Sequence, residues 1–188
     1  MMQFIVNHIT GVVRPALRKY VEAENALTNA VLSNDMMPVD VARQDVMLAA
    51  RQAATELHHL SDFIFKEPSP ALQFKNLEEV RQAVSEKCVF LRTTSSVPDV
   101  SLLRDVADAF KHHRPDRKNT KVRVSTDVLS RGTGFGQGRF GEGKYDGIEQ
   151  VVITTTDGDR RALSSVLQNV FDAWMSLLGQ ELPPLGQY

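Results

Sequence analysis

A single cysteine, a single tryptophan and a 7% share of aromatic residues mark this 188-residue chain first by what it has little of. One thiol, Cys88, cannot close an intramolecular disulfide, and no CxxC or Cys/His spacing offers a structural zinc site. The expected compartment is therefore a reducing one, the cytoplasm. No apolar run approaches the roughly 20 residues that crossing a bilayer requires, so no membrane partner is expected. Asn7, His8 and Arg14 interrupt the hydrophobic start of the chain, which does not read as a signal peptide. Nor does one sign of charge dominate. Twenty-two basic and 23 acidic side chains leave a formal charge of −1, which gives no bulk attraction toward nucleic acid or an anionic membrane. GxSxG, Walker, HExxH and EF-hand patterns are all missing, and no repeat of fixed period is found. No cofactor and no metal are expected.

What is present is helical periodicity. With 42% hydrophobic and 24% charged residues, the composition is that of an ordinary globular domain, and the length suits one core. Ile9, Val13, Leu17, Tyr20, Leu27 and Val31 share one helical face over Phe4 to Leu32, with Pro15 predicted to bend that helix or mark its start. Asn34, Asp35 and Pro38 break the pattern. Val39, Ala42, Val46, Ala50, Ala53, Leu57, Leu60 and Ile64 then form the longest stripe in the chain. After Pro68 and Pro70, a third amphipathic segment carries Leu77, Val80, Val84, Cys88 and Leu91 on one face, which makes Cys88 a buried hydrophobe and a poor nucleophile. Ser96 and Asp99 have capping-box spacing around Pro98, and a fourth helix is predicted to run to about His113.

The period changes to two at Val122, Val124 and Thr126, predicting a strand, with a second strand over Ile148 to Thr155. Leu163, Leu167, Val170, Trp174 and Leu177 form the last helical face, and Gly179 is its stop. Between the strands lie seven of the chain's eleven glycines, from Gly132 to Gly147. Ordering so many glycines is entropically costly, and a mobile loop is expected. The predicted fold is mainly α: a four- or five-helix bundle forming one domain over 1–188, with one β-hairpin over 121–156 inserted before the last helix.

Three polar constellations are candidates for chemistry. Arg51, Thr55, His58 and Asp62 advance by four, three and four along the second helix, on one line beside its apolar stripe. An imidazole one turn from a carboxylate can be held in one tautomer, and an arginine nearby can stabilise a phosphate. The same line also suits ordinary hydrogen bonds at the border of a buried face. On the fourth helix, Asp105, Asp108 and His112 have metal-ligand spacing. Leu103, Val106 and Phe110 mark the core direction there, however, so the acidic line is predicted to face solvent, while His113 borders the apolar face; His59 lies to the polar side of its own helix. The glycine loop contains Gly136-Gln-Gly138-Arg-Phe-Gly141, formally GxGxxG, but no helix follows to receive a pyrophosphate. Its Arg131, Phe135, Arg139, Phe140, Lys144 and Tyr145 interleave cations with rings, a composition suited to contact with RNA or with a protein partner.

Arg104-Asp-Val-Ala-Asp-Ala-Phe-Lys-His112-His113, followed by a hairpin and an amphipathic helix containing Trp174, resembles uncharacterised bacterial helical-bundle proteins loosely related to the HEPN group. The resemblance spans the fourth helix to the end of the chain. It implies a helical bundle that dimerises and, in active members, a metal-independent ribonuclease using an arginine and a histidine separated by four to six residues. Arg104 and His112 are separated by seven and depart from that spacing, whereas Arg51 and His58 are separated by six but lie on the second helix. Two functions are thus expected in order: a non-enzymatic cytosolic protein acting through self-association, as a homodimer, or through a macromolecular partner; and a HEPN-type ribonuclease or nucleotide-binding protein with Arg51, His58, Arg104 and His112 as candidates.

Overall fold

A computed structural model describes residues 2–33, 36–67, 72–89, 97–112, 119–132 and 149–180. It is mainly helical, at 72%, with a small antiparallel sheet before the last helix, as the sequence predicts. The chain begins with α1 (Met2–His8), a π-helical segment (Ile9–Val13) and α2 (Arg14–Ser33), which follow one another without a break. Pro15 therefore neither starts this helix nor interrupts it. Proline has no amide to give the Gly11 carbonyl and its ring crowds that carbonyl. The wider turn just upstream, where the Arg14 amide reaches back to the Ile9 carbonyl, absorbs the mismatch. Ile5, Ile9, Val13, Leu17, Tyr20 and Leu27 are buried along the inner face, and Val31 is half-buried. Glu24 lies on the same stripe, also buried; the Tyr20 hydroxyl donates to its carboxylate.

The 31-residue α3 (Met36–Lys66) is the spine of the bundle, and at about 1.5 Å per residue it is long enough to touch every other layer. All eight residues of its predicted stripe are buried. Pro38 is tolerated because it falls in the first turn, where amides have no intrahelical partner in any case. α2 packs antiparallel along one side of α3, while α4 (Leu77–Ser85), α5 (Asp99–His112) and α6 (Leu163–Leu178) pack on α3 and on one another.

Asn76 caps α4 by accepting from the Glu79 amide at 2.9 Å, and Glu79 accepts in return from the Lys75 amide. α4 stops at Ser85, short of the predicted extent. The backbone amide and carbonyl of Val89 are taken by the side-chain amide of Asn169 on α6, at 2.9 and 3.1 Å. Cys88 nonetheless stays buried, on a turn rather than on the helix. Leu91 and Ser96 lie outside the described residues. Asp99, predicted as half of a capping box, is buried and turned inward to Arg161 and Asn169 instead.

The predicted strand at Val122 to Thr126 is not one. Asp127 accepts from the amides of Arg123 and Val124 at 2.8 and 3.1 Å, closing a short 3-10 turn (Ser125–Asp127) with amides that a ladder would need. The first strand, β1 (Val128–Gly132), starts after that turn and pairs antiparallel with β2 (Glu149–Thr154), with Val128 opposite Ile153. A third strand, β3 (Arg160–Ala162), adds to β2 through a turn in which Gly158 has φ +85°. Arg43 of α3 clamps the sheet by a two-pronged bond to Glu149, at 2.7 and 2.9 Å, and Ser130 donates to the same carboxylate. α6 ends as predicted: Gly179 has φ +61° and the Gln180 amide closes onto the Met175 carbonyl.

Candidate functional site

Two surfaces emerge, a polar seam and an apolar groove. The seam runs where α3, α4 and α5 meet. α3 supplies His58 and Asp62, α4 supplies Glu78 and Arg81, and α5 supplies Arg104 and Asp108. Arg81 and Arg104 both reach the largely exposed Glu78 at 3.4 Å. The buried Nε of Arg81 has no hydrogen-bond partner among the described residues. His58 is half-buried, and its pKa is lowered from 6.5 to about 4, first by desolvation, then by the Arg81 cation; Asp108 and Asp62 oppose the shift, and His59 adds to it slightly. The imidazole is therefore neutral at pH 7, able to accept one proton.

The four catalytic candidates do not share one environment. Arg51 is exposed, with its guanidinium carbon 5.7 Å from the centre of the Phe110 ring, a cation–π contact that binds α3 to the last turn of α5. His112 is exposed on that same last turn. Arg104 and His58 belong to the seam.

Asp105 corrects the predicted solvated line. It is only 4% exposed and accepts from the Lys121 amide at 2.6 Å. Asp105 is enclosed because the chain after α5 folds back over it, whereas His112 of the same line is exposed. No three His, Cys, Asp or Glu side chains among the described residues are placed to hold a metal ion. No helix among them is long and apolar enough to cross a membrane. Burial and the neighbouring Asp99 push the Cys88 thiol up to about 11, which keeps it protonated and weakly nucleophilic. Of the glycine-loop candidates, Arg131 is exposed at the end of β1; Phe135, Arg139, Phe140, Lys144, Tyr145 and the GxGxxG stretch lie outside the described residues, as does His113.

The second surface was not singled out by sequence reasoning. α2 and α3 leave between them an open groove of about 860 Å³, lined by Ala23, Ala26 and Ala30 on α2 and by Ala42 and Ala49 on α3. Val41 and Leu48, seven residues apart, stand along its α3 side at 59% and 62% exposure. Lys19, Glu22 and Asp45 give the groove a rim of both charges. A signal was available in the sequence: α3 carries a second apolar line, Val41 and Leu48, two residues out of step with Val39 and Val46.

Compared with family models, curated proteins and solved structures, the chain matches none.

Proposed function

We propose that this protein is a non-enzymatic helical bundle of the cytoplasm that acts by self-association, as a homodimer. The observation that carries this reading is the α2/α3 groove, where two large aliphatic side chains, Val41 and Leu48, are more than half exposed among alanines. A monomer gains nothing from holding Val41 and Leu48 in water, and fully burying an exposed leucine is worth about 1.5–3 kcal/mol. Closed two-fold pairing is also the commonest way soluble chains cover such a face. The single thiol supports a reducing compartment. Light scattering coupled to size exclusion at micromolar concentration should give twice the 21.0 kDa chain mass. Leu48→Glu should return the mass to that of one chain with an unchanged helical circular dichroism spectrum. A wild-type mass of one chain at every concentration overturns the reading.

A second reading, a HEPN-type metal-independent ribonuclease or nucleotide-binding protein, is favoured by one observation: a neutral His58 shares the seam with Arg104 and with Arg81, whose Nε has no hydrogen-bond partner among the described residues. In that case RNA cleavage in the presence of chelator should fall at least about 100-fold in His58→Ala, the scale of a lost general base. His112→Ala, on the exposed end of α5, should cleave normally. Equal activity in wild type and both variants removes these residues from any catalytic role.

A further inference from the structure

Resting on the second reading, in which the seam takes a nucleotide, we infer that Glu78 is a built-in competitor for that site: its carboxylate lies where a phosphate group binds between Arg81 and Arg104, and an incoming phosphate displaces it into solvent. The two guanidiniums come from different helices, α4 and α5, yet one Nη of each points at the same carboxylate oxygen of Glu78, at 3.4 Å in both cases. No more than twice that distance separates the two nitrogens. A tetrahedral oxyanion bridges such a gap with one oxygen for each arginine.

Three features distinguish Glu78 from a permanent partner of this pair. Both contacts are longer than the roughly 2.7–2.9 Å of a charge-assisted hydrogen bond, so neither arginine is held tightly by it. The carboxylate is also the most exposed of the three side chains, at 72% against 18% for Arg81 and 25% for Arg104. It is free to swing outward while the cations stay where the packing of α4 on α5 keeps them. Finally, the buried Nε of Arg81 has no hydrogen-bond partner among the described residues, so Glu78 leaves donor capacity in that guanidinium unused. A phosphate group carries about −1.5 to −2 charge at pH 7 with three acceptor oxygens, against a single charge and two oxygens for the carboxylate, and two converging arginines suit it better. The other carboxylates of the seam, Asp62 and Asp108, act on His58 and set a limit on the affinity.

Inorganic phosphate is the probe, titrated into the millimolar range by calorimetry at pH 7 and low ionic strength. Glu78→Gln should bind it about threefold or more tightly than wild type, the scale of two exposed ion pairs no longer competing. Arg104→Gln, with an unchanged helical circular dichroism spectrum, should lose the binding. Glu86→Gln, which neutralises another exposed carboxylate at the end of the same helix, should leave the affinity unchanged. Equal affinity in wild type and Glu78→Gln, an equal gain in Glu86→Gln, or no phosphate binding by any of these proteins overturns the inference. If Glu78→Gln tightens phosphate binding but no protein binds a mononucleotide or cleaves RNA, the competitor stands and the nucleotide reading fails. If His58-dependent cleavage is found and Glu78→Gln changes neither it nor phosphate affinity, the nucleotide reading stands and the competitor fails.

Discussion

Asp99→Ala should lower the free energy of unfolding by about 3–5 kcal/mol, the cost of breaking a buried ion pair by removing one partner. Asp99 opens α5 at 6% exposure, and one of its oxygens accepts from Arg161 of β3 at 3.0 Å and from Asn169 of α6 at 2.6 Å. Asn169 in turn holds both backbone groups of Val89, the residue that ends the α4 turn. One carboxylate therefore ties together four segments, and both side chains of the ion pair are close to fully enclosed. Alanine removes the carboxylate to which both Arg161 and Asn169 donate. Urea denaturation followed by the fluorescence of Trp174, itself 1% exposed, measures the loss. A loss below about 1 kcal/mol for Asp99→Ala, the scale of a surface pair, would show that the junction is solvated.

The second large effect depends on pH. In the folded protein His58 takes up its proton only near pH 4, whereas in the unfolded chain the same side chain does so near 6.5. Above pH 6.5 both states are neutral and the difference costs nothing. As the pH falls through 6.5 the unfolded state gains protons first, so stability drops until the folded state also protonates near 4. At 1.36 kcal/mol per unit, the accumulated loss is about 3 kcal/mol. Carboxylates titrate in the lower part of this window too, so the difference between wild type and His58→Leu isolates the imidazole. As pH falls from 6.5 to 4 the variant should gain about 3 kcal/mol relative to wild type, because it lacks the histidine loss. Parallel profiles through that window would mean that His58 is as well hydrated folded as unfolded. Arg81→Gln should weaken the effect without abolishing it, since desolvation is the larger cause and the Arg81 cation the next.

These residues show how far a sequence read alone carries. The eight-residue stripe of α3 was legible because helical burial repeats every three or four residues, and each position can be judged from its near neighbours. Pro15 was legible as a perturbation, but whether a helix bends, starts or widens at a proline depends on what holds the helix on both sides. Here Ile5, Ile9, Val13 and Leu17 are all buried, which keeps the helix continuous and moves the adjustment into its hydrogen bonding. The strand predicted at Val122 failed because alternation records which side chains are buried and not where the amides go. Val122 is indeed buried, while the neighbouring amides are held by Asp127.

The sequence by itself determined the helical class, the core-facing side of the long helices, the burial of Cys88 and the glycine stop of α6, all of which follow from local periodicity and backbone stereochemistry. Only the tertiary structure decided which polar residues meet. Asp99 meets Arg161 and Asn169 from 62 and 70 residues away, and His58 meets Arg81 and Asp108 from other helices. Asp105 has the helical phase of a solvated residue yet is buried, because phase identifies one side of a helix without revealing that a later segment covers the other. Val41 and Leu48 stay exposed for the complementary reason. α2 and α3 fill the core with one face each, and nothing in the hydrophobicity of a second line tells whether the same chain folds back to cover it.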